Sequence, residues 1–289
     1  MARPLLIVDA PSLLYRAFFA LPRSISDRDG KPVNALLGTT NLLLREAEEH
    51  RPRAVVLCFG PDAARYRTEL YEPYHADRPP VPDELAPQFA GALDFFAAFG
   101  WTSVIDDELE ADDVMGSLAK AEEKAAGEAL LMTGDRDLFQ CVTDKVKVLY
   151  VRTGVRGAEL VDAAEVKRRY GIPPELVPDF IALRGDPSDG IPGAKGVGEK
   201  TAADLLRRRG SLEAAIENAV RERPPRLSGA LLNGAEELRT FKDLATLRTL
   251  NVKRPRDRET DYAGGARAAR ERGMNRLAER LEKAAAAAA

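Results

Sequence analysis

The sequence of 289 residues has few residues of the kinds that cross-link small secreted domains or bind zinc. Its two cysteines, Cys58 and Cys141, both lie in apolar runs that resemble strands, and no group of histidines and cysteines surrounds either one. A structural zinc ion is held by four such ligands close together, so we do not expect a zinc site. Isolated cysteines in apolar runs are typical of core residues in a reducing cytosol.

Long hydrophobic segments and a large excess of one charge are also missing. The apolar run from Leu5 to Val8 is shorter than a signal peptide or a membrane span requires, so we expect a cytoplasmic protein without membrane contact. Asp and Glu outnumber Lys and Arg by 46 to 43, a formal net charge of −3. This balance offers no overall attraction for nucleic acid, although a basic groove beside an acidic centre would give the same sum.

The composition that is present, 45% apolar and 31% charged, is that of a globular protein with one large or two smaller domains. Two runs, Leu5 to Val8 and Ala54 to Phe59, are typical of buried strands, and the segment between them from Asn34 to Glu49 is typical of a helix. This order implies parallel pairing with a right-handed crossover. Further strands are predicted at 101–105, 129–133 and 145–151. We therefore expect an α/β fold with a mostly parallel central sheet flanked by helices.

Acidic residues follow the ends of several predicted strands. They are Asp9 after the first strand, Glu110, Asp112 and Asp113 at the start of a helix, and Asp135 and Asp137 after the strand 129–133. In a parallel sheet the loops after the strands share the face where ligands bind. Acids so close together raise one another's pKa unless a cation neutralises them, and oxygen ligands in this number suit Mg²⁺ or Mn²⁺. Each acidic group alone is also typical of a helix N-terminus or a turn, but their combination favours a metal site.

A proline-rich segment from Pro61 to Pro87 interrupts the regular pattern. Basic and aromatic side chains alternate with its prolines: Arg65, Tyr66, Arg67, Tyr71, Tyr74, His75 and Arg78. Such a mixture suits a single nucleic-acid strand, because arginine binds phosphate and bases stack on tyrosine. A long solvated loop is an equally good interpretation of this segment taken alone. Arg16, beside the acidic residues, is a further candidate for a phosphate contact.

Two features follow each other in the C-terminal part. Asp186 and Asp189 lie in a Gly/Pro turn, which is common in isolation. The segment from Ile191 to Gly198 then leads into a predicted helix, Glu199 to Arg209, and its glycines let backbone N–H groups approach a phosphate. Two lysines flank this turn, Lys195 and Lys200. The pattern is typical of a helix-hairpin-helix, which holds the duplex backbone without reading sequence; a glycine C-cap before an ordinary helix is the alternative.

In combination, these motifs resemble the flap endonuclease or 5′-nuclease family, in particular the 5′→3′ exonuclease domain of bacterial DNA polymerase I. The resemblance covers roughly residues 3 to 283, and no polymerase domain follows, so we expect a stand-alone 5′-nuclease or an isolated nuclease domain. The motifs occur in the family's order: Leu6-Ile7-Val8-Asp9 around the first strand end, Tyr15-Arg16-Ala17-Phe18, Glu110-Ala111-Asp112-Asp113, Thr133-Gly134-Asp135-Arg136-Asp137, and Gly185-Asp186-Pro187-Ser188-Asp189 followed by Pro192-Gly193-Ala194-Lys195-Gly196-Val197-Gly198.

The resemblance implies a two-metal phosphodiesterase that uses Mg²⁺ or Mn²⁺. One ion would be held by Asp9, Glu110, Asp112 and Asp113, and the other by Asp135, Asp137, Asp186 and Asp189. Catalytic roles are implied for Asp9, Arg16, Arg67 and His75. The DNA contacts implied are Arg65, Arg67 and Arg78 in the family's arch, which holds the 5′ single strand, and Gly193, Lys195, Gly196, Gly198 and Lys200 at the hairpin, which the family often pairs with a K⁺ ion.

The resemblance also implies a domain plan and partners. Residues 1–172 would form a PIN-like nuclease core that includes the arch segment 61–90, residues 173–283 a helical region with the helix-hairpin-helix, and residues 284–289 a poly-Ala tail. The substrate would be DNA with a 5′ flap, nick or gap, in replication or repair. We expect a monomer associated with the nucleoid, with any DNA polymerase acting separately.

Two positions depart from the family's pattern. The family ends its second strand with Phe-Asp, where this sequence has Phe59-Gly60, and it carries a lysine in the arch where this sequence has His75. Asp62 is a nearby acid at a different position. These departures favour an alternative, a structure-specific DNA-binding protein with weakened or lost catalysis, whereas the eight remaining carboxylates argue for an active enzyme. A PIN-type ribonuclease is a third alternative, which the duplex-binding hairpin disfavours. We expect a Gly60→Asp, His75→Lys variant to gain rate or Mg²⁺ affinity.

Overall fold

The computed structural model describes residues 3–152 and 157–288. Within them, six strands form one sheet in the order β3-β2-β1-β4-β5-β6. All neighbouring strands pair in parallel except β5 and β6, which are antiparallel. The α/β fold with a mostly parallel sheet is therefore confirmed. The strands are β1 (Leu5–Asp9), β2 (Ala54–Phe59), β3 (Thr102–Ile105), β4 (Ala129–Thr133), β5 (Val146–Val151) and β6 (Ala158–Val161).

Helices surround the sheet and form most of the C-terminal third. In the part of the chain that the structure describes, no helix is both long and apolar enough to span a membrane. The α-helices are α1 (Ala10–Ala20), α2 (Asn34–His50), α3 (Arg65–Leu70), α4 (Ala86–Ala97), α5 (Ala111–Lys124), α6 (Ala163–Tyr170), α7 (Val177–Arg184), α8 (Glu199–Arg209), α9 (Leu212–Glu217), α10 (Pro225–Asn233), α11 (Ala235–Ala245), α12 (Tyr262–Glu271) and α13 (Asn275–Ala288). Short 3₁₀ helices lie at Asp137–Cys141, Pro174–Leu176 and Ala219–Arg221.

The central strand β1 is buried on both faces. Because successive side chains of a strand point in opposite directions, Leu5 and Ile7 pack in a core shared with α5 and α7, and Leu6 and Val8 in a core shared with α1, α2 and α4. All four side chains have no exposed surface. Burial of each contributes about 1.5–3 kcal/mol, and burial on both faces explains the continuous apolar sequence.

The sheet order creates a crevice at the carboxyl end of β1. This strand pairs with β2 on one side and with β4 on the other, so the chain leaves β1 toward one edge and later returns to the opposite side. Ligand sites of open α/β sheets form at such switch points. Asp9 is the last residue of β1, Gly60 follows β2, and Gly134 follows β4.

The structure corrects several local predictions. The unpredicted strand β6 has only four residues, of which the first three are partly or fully exposed, so its sequence lacks a buried-strand pattern. The short helix α3 forms inside the proline-rich segment. Cys58 is a buried residue of β2 as predicted, but Cys141 ends a 3₁₀ helix and is only partly buried.

The last two helices pack against the N-terminal core. Helix α12 was not predicted from the sequence. Its residues Ala266 and Ala269 pack together with Leu277 and Leu281 of α13 against the core that contains Leu6 and α4. The chain therefore returns to the nuclease core after the helical region. Residues 284–288 of the poly-Ala tail continue α13, and residue 289 lies outside the described residues.

Candidate active site

Seven of the eight predicted acidic site residues line one cavity of about 1050 Å³ at the carboxyl end of β1. Five segments contribute to it: those after β1, β2, β3 and β4, and the turn between α7 and α8. The fold thus brings together acids that are up to 180 residues apart in the sequence. The seven are Asp9, Glu110, Asp112, Asp135, Asp137, Asp186 and Asp189.

Asp9 and Asp135 are linked through one threonine. The Thr133 hydroxyl donates to Asp9 Oδ2 at 2.7 Å and accepts the Asp135 N–H at 2.9 Å. Asp9 also caps α1, since its Oδ1 accepts the Ser12 N–H at 3.0 Å. Thr133 is fully buried, so it holds the ends of β1 and β4 in a defined arrangement. In the sequence, Thr133 is only a member of the motif from Thr133 to Asp137, and no role of its own could be predicted for it.

Asp112 and Asp137 present carboxylates without hydrogen-bond donors among the described residues, and Asp112 Oδ1 is buried. Burial, followed by repulsion from Asp9 and Asp135, raises the pKa of Asp112 well above its ordinary value. Burial and repulsion from Asp135 likewise raise the pKa of Asp137. An unpaired buried carboxylate is costly, so this pair of acids calls for a cation.

The pKa of Asp135 is raised to about 6, chiefly by burial and then by repulsion from Asp189. Burial also raises the pKa of Asp9, against hydrogen bonds from Thr133 and Ser12. Across residues 3–152 and 157–288, no three cavity carboxylates bring one oxygen each within 4.8 Å of one another. Mutual repulsion favours this spacing, and we expect a bound cation to draw the acids together.

Glu110 is held by backbone and side-chain donors from the segment after β2. Its Oε1 accepts the Ala64 N–H at 2.7 Å, and the Tyr74 hydroxyl donates to its Oε2 at 3.1 Å. Arg67 Nη1 lies 3.0 Å from Oε1. Glu110 is therefore already compensated, in contrast to Asp112 two residues later.

Asp113 does not reach the cavity, which corrects its assignment to the first metal ion. Arg67 forms a bidentate pair with it at 2.9 and 3.0 Å, and the Arg248 N–H donates to its Oδ1 at 2.7 Å. Asp113 is fully buried and Arg67 is 2% exposed. Because Arg67 also donates to the Leu244 carbonyl at 3.1 Å, each of its three guanidinium nitrogens has a partner within the protein. Arg67 therefore joins the arch to α5 and α11, which corrects its prediction as a catalytic and DNA-contacting residue.

His75 lines the same cavity, but both of its ring nitrogens already have partners within the protein. Its Nδ1 lies 2.7 Å from the Asp62 carbonyl oxygen and its Nε2 lies 3.1 Å from Asp189 Oδ1. Both partners are oxygen atoms that accept hydrogen bonds. The catalytic role implied for His75 is therefore corrected, because both ring nitrogens already have partners within the protein. Arg78 joins the same cluster, donating to Asp62 Oδ1 at 3.1 Å and Asp189 Oδ1 at 3.3 Å.

Asp186 is compensated within its own turn. Its Oδ2 accepts from Arg184 Nη2 at 2.9 Å, and its Oδ1 accepts the Ser188 N–H at 2.9 Å. Arg184 is a second residue to which sequence analysis gave no role; a basic residue just before an acidic turn was the available signal. Arg16 lies where it was predicted, beside the acids, with its Nη2 donating to the Gly134 carbonyl at 2.6 Å.

The turn between α7 and α8 has a tightly packed half and an open half. A Cβ at Gly193 would lie 2.4 Å from the Gly185 nitrogen, so this glycine serves the close approach of two backbone segments. This packing corrects the expectation that Gly193 lies open to DNA. Nothing lies within 4 Å of a Cβ at Gly196 or Gly198, and Lys195 and Lys200 are exposed.

Arg65, on the arch helix α3, is exposed and paired with Glu69.

Gly60 is a place where the backbone leaves no room for a side chain. A Cβ there would lie 2.3 Å from the Leu109 carbonyl oxygen and 2.8 Å from the Ala111 nitrogen. These atoms flank Glu110, so the close approach sets the position of that acid against β2. The expectation that an aspartate at position 60 restores a metal ligand is therefore corrected, because its Cβ alone would clash.

We expect Gly60→Ala to destabilise the protein by about 1–3 kcal/mol, the usual cost of overpacking, and Gly60→Asp, His75→Lys to bring no gain in Mg²⁺ affinity. Denaturant unfolding and metal titration measure the two effects. Gly229→Ala is the matched control, because nothing lies within 4 Å of its Cβ in α10 and alanine favours a helix. Unchanged stability in Gly60→Ala would contradict this account.

Two family models match most of the chain. Residues 4–171 match the family model "5'-3' exonuclease, N-terminal resolvase-like domain", and residues 172–260 match "5'-3' exonuclease, C-terminal SAM fold". The chain is 38% identical over 277 residues to the thermostable DNA polymerase I of Thermus thermophilus, covering 96% of this chain and 32% of that protein. It is 39% identical over 239 residues to a 5'-3' exonuclease of Mycobacterium tuberculosis, covering 76% and 74%.

Solved structures share the fold at low sequence identity. T5 5'-exonuclease with bound zinc aligns with a TM-score of 0.68 and 18% identity, over 98% of this chain and 100% of that chain. The catalytic core of Rad2 in complex with DNA substrate aligns with a TM-score of 0.64 and 14% identity, over 97% and 91%. The chain spans about a third of the length of the Thermus polymerase that it matches.

Proposed function

Because the chain belongs to the 5′-3′ exonuclease family, over both of the domains by which that family is defined, we propose that this nuclease hydrolyses DNA phosphodiester bonds at 5′ flaps, nicks or gaps. It would act as a 5′→3′ exonuclease and flap endonuclease in replication or repair. The resemblance on which this expectation began is confirmed at the level of the family, and the substrate and mechanism are our proposal.

The observation that carries the proposal is the set of carboxylate oxygens without donors at the carboxyl end of β1. Among the described residues, the side chains of Asp112 and Asp137 and one oxygen each of Asp135 and Asp189 accept no hydrogen bond. A protein that needed these acids only for structure would pair them, as it pairs Asp113. Unpaired acids in a deep cavity are typical of a cation site.

The donor set fits divalent ions that prefer oxygen, and we propose Mg²⁺ or Mn²⁺ as two ions. Asp9, Glu110 and Asp112 would serve one ion and Asp135, Asp137, Asp186 and Asp189 the other. Metal ions at such a site supply an activated water and stabilise charge on the phosphate and the leaving oxygen. T5 5'-exonuclease, which shares the fold, has been solved with zinc, in agreement with divalent-ion binding.

The chain's own residues would position the substrate. Arg16 is held beside the acids by Gly134, where its guanidinium could bind the scissile phosphate. The open backbone at Gly196 and Gly198, with Lys195 and Lys200, would hold the duplex backbone as a helix-hairpin-helix, with K⁺ as a candidate ion there. Arg65 and Arg78 would face the 5′ single strand along the arch.

The test is cleavage of a flap duplex labelled at its 5′ end, in Mg²⁺, in Mn²⁺ and in chelator, for the wild type, Asp135→Asn and the control Asp107→Asn. Asp107 is an exposed acid of the same region outside the cavity. We expect metal-dependent cutting near the junction that only Asp135→Asn abolishes. Tight flap binding without cutting in either metal would favour the alternative, a structure-specific DNA-binding protein, and cleavage of RNA alone would favour a ribonuclease.

The remaining expectations stand as part of the proposal. We propose a monomer that acts in the cytoplasm at the nucleoid, with DNA synthesis supplied by a separate polymerase. Size-exclusion chromatography with light scattering, with and without flap DNA, would test the monomer; a dimer in either condition would contradict it.

A further inference from the structure

The arch segment, residues 61–90, contacts one carboxylate of the acidic turn Gly185–Gly190. The His75 N–H donates to the Asp189 carbonyl at 3.3 Å, and the His75 ring and Arg78 both reach Asp189 Oδ1, at 3.1 and 3.3 Å. Three donors from four consecutive arch residues therefore converge on a single residue of the turn. Asp189 is 7% exposed, so the contact is shielded from water.

The two segments also pack through their backbones. A Cβ at Gly190 would lie 2.8 Å from the Pro73 carbonyl oxygen, and Gly190 has a φ of +74°. The Tyr74 ring stacks on His75 with centroids 3.9 Å apart, while its hydroxyl donates to Glu110. Residues 73–75 are thus fixed between the acidic turn and the acid at the start of α5.

The two oxygens of Asp189 are used differently. Both side-chain donors bind Oδ1, and within the described residues no donor reaches Oδ2. Asp189 lines the cavity together with Asp135. Proteins usually orient a metal-binding carboxylate by hydrogen bonds. These bonds hold one carboxylate oxygen, and the other oxygen binds the metal.

We propose that His75 and Arg78 are positioning residues that hold Asp189 through Oδ1 and present Oδ2 to a divalent cation, so that cation binding and folding of the arch stabilise each other. This inference rests on the proposed metal-dependent function and assigns the arch a role before DNA arrives. By thermodynamic linkage, whatever the arch adds to cation affinity, the cation adds equally to arch stability.

Two substitutions at position 75 separate hydrogen bonding from backbone strain. His75 has a φ of +55°, which asparagine tolerates better than glutamine. The glutamine side-chain nitrogen reaches about as far as histidine Nε2 and can donate to Asp189, whereas the asparagine nitrogen corresponds to Nδ1 and faces the Asp62 carbonyl. If backbone strain is decisive, His75→Asn should therefore resemble the wild type more closely. If the hydrogen bond to Asp189 is decisive, His75→Gln should.

The experiment is Mn²⁺ binding to the DNA-free full-length chain by calorimetry and electron paramagnetic resonance, with hydrogen exchange over residues 71–78. We expect His75→Asn and Arg78→Gln to weaken one Mn²⁺ site about 10- to 100-fold, and His75→Gln to bind like the wild type. Mn²⁺ should slow exchange over 71–78 in the wild type and in His75→Gln, but not in His75→Asn. Asp77→Asn, which removes an exposed charge next to Arg78, is the matched control and should change nothing.

Several outcomes would overturn the proposal. Wild-type Mn²⁺ affinity in His75→Asn, or exchange over 71–78 that does not respond to Mn²⁺ in the wild type, would refute the coupling and leave the proposed function intact. A wild-type protein that binds no Mn²⁺ would refute both. If circular dichroism shows that His75→Asn is unfolded, Arg78→Gln provides the same comparison, because it removes the second donor to Oδ1.

Discussion

Replacing Asp112 by asparagine should lower metal-dependent cleavage about 10²- to 10³-fold, the usual cost of removing one electrostatic stabiliser of a transition state. The same change should stabilise the metal-free protein. Asp112 Oδ1 is buried without a partner, and the acids around it repel its charge. We expect a gain of about 1 kcal/mol, which corresponds to about 2–4 °C in melting temperature.

The two effects are measured by flap cleavage under single-turnover conditions and by thermal unfolding in chelator. Asp107→Asn is the matched control, since it removes an exposed charge from the same region and should change neither quantity. A loss of both activity and metal-free stability would mean that Asp112 has a structural role. Unchanged cleavage would exclude Asp112 from the site.

Replacing Arg67 by methionine should destabilise the protein by about 3–5 kcal/mol, the usual cost of removing one partner of a buried ion pair. Arg67 compensates Asp113, which has no exposed surface, and contacts Glu110 at 3.0 Å. Its loss would leave two buried carboxylates without a counter-charge. Because Arg67 also binds the Leu244 carbonyl, the arch should detach from α11 as well.

Urea unfolding of Arg67→Met, with Arg65→Met as the control, tests this expectation. The Arg65 side chain is 87% exposed and pairs only with Glu69, so its replacement should cost less than about 1 kcal/mol. Arg67→Met with Asp113→Leu should recover part of the loss, because replacing both members of a buried pair by apolar residues is often close to neutral. A loss in Arg67→Met no larger than in Arg65→Met would contradict the assignment of Arg67 as a structural residue.

The departures from the family's pattern have structural consequences that sequence comparison alone does not reveal. Gly60 leaves space for the backbone around Glu110, and His75 supports Asp189 instead of facing outward. An aspartate at position 60 would clash with the backbone around Glu110, and a lysine at position 75 would replace the His75 contact with Asp189. The eight acids remain, and seven of them share one cavity.

The mostly parallel sheet, the acids at its strand ends and the glycine-rich turn before α8 could all be predicted from the sequence. These features depend on short-range rules: a strand buried on both faces needs a continuous apolar run, and a residue that ends a strand lies at the edge where the crevice opens. The four apolar residues before Asp9 were therefore enough to predict that Asp9 ends a buried strand and lies in the site.

Which acids face the cavity and which are paired depends on contacts between distant parts of the chain, and it could not be predicted from the sequence. Asp112 and Asp113 are neighbours in sequence, but successive residues of a helix point about 100° apart, so one faces the cavity and the other faces Arg67. The partners of the paired acids are distant along the chain. Arg67 is 46 residues from Asp113, and His75 is 114 residues from Asp189. Charge compensation in a buried site depends on which side chains the fold brings within hydrogen-bonding distance, and no local pattern encodes that choice.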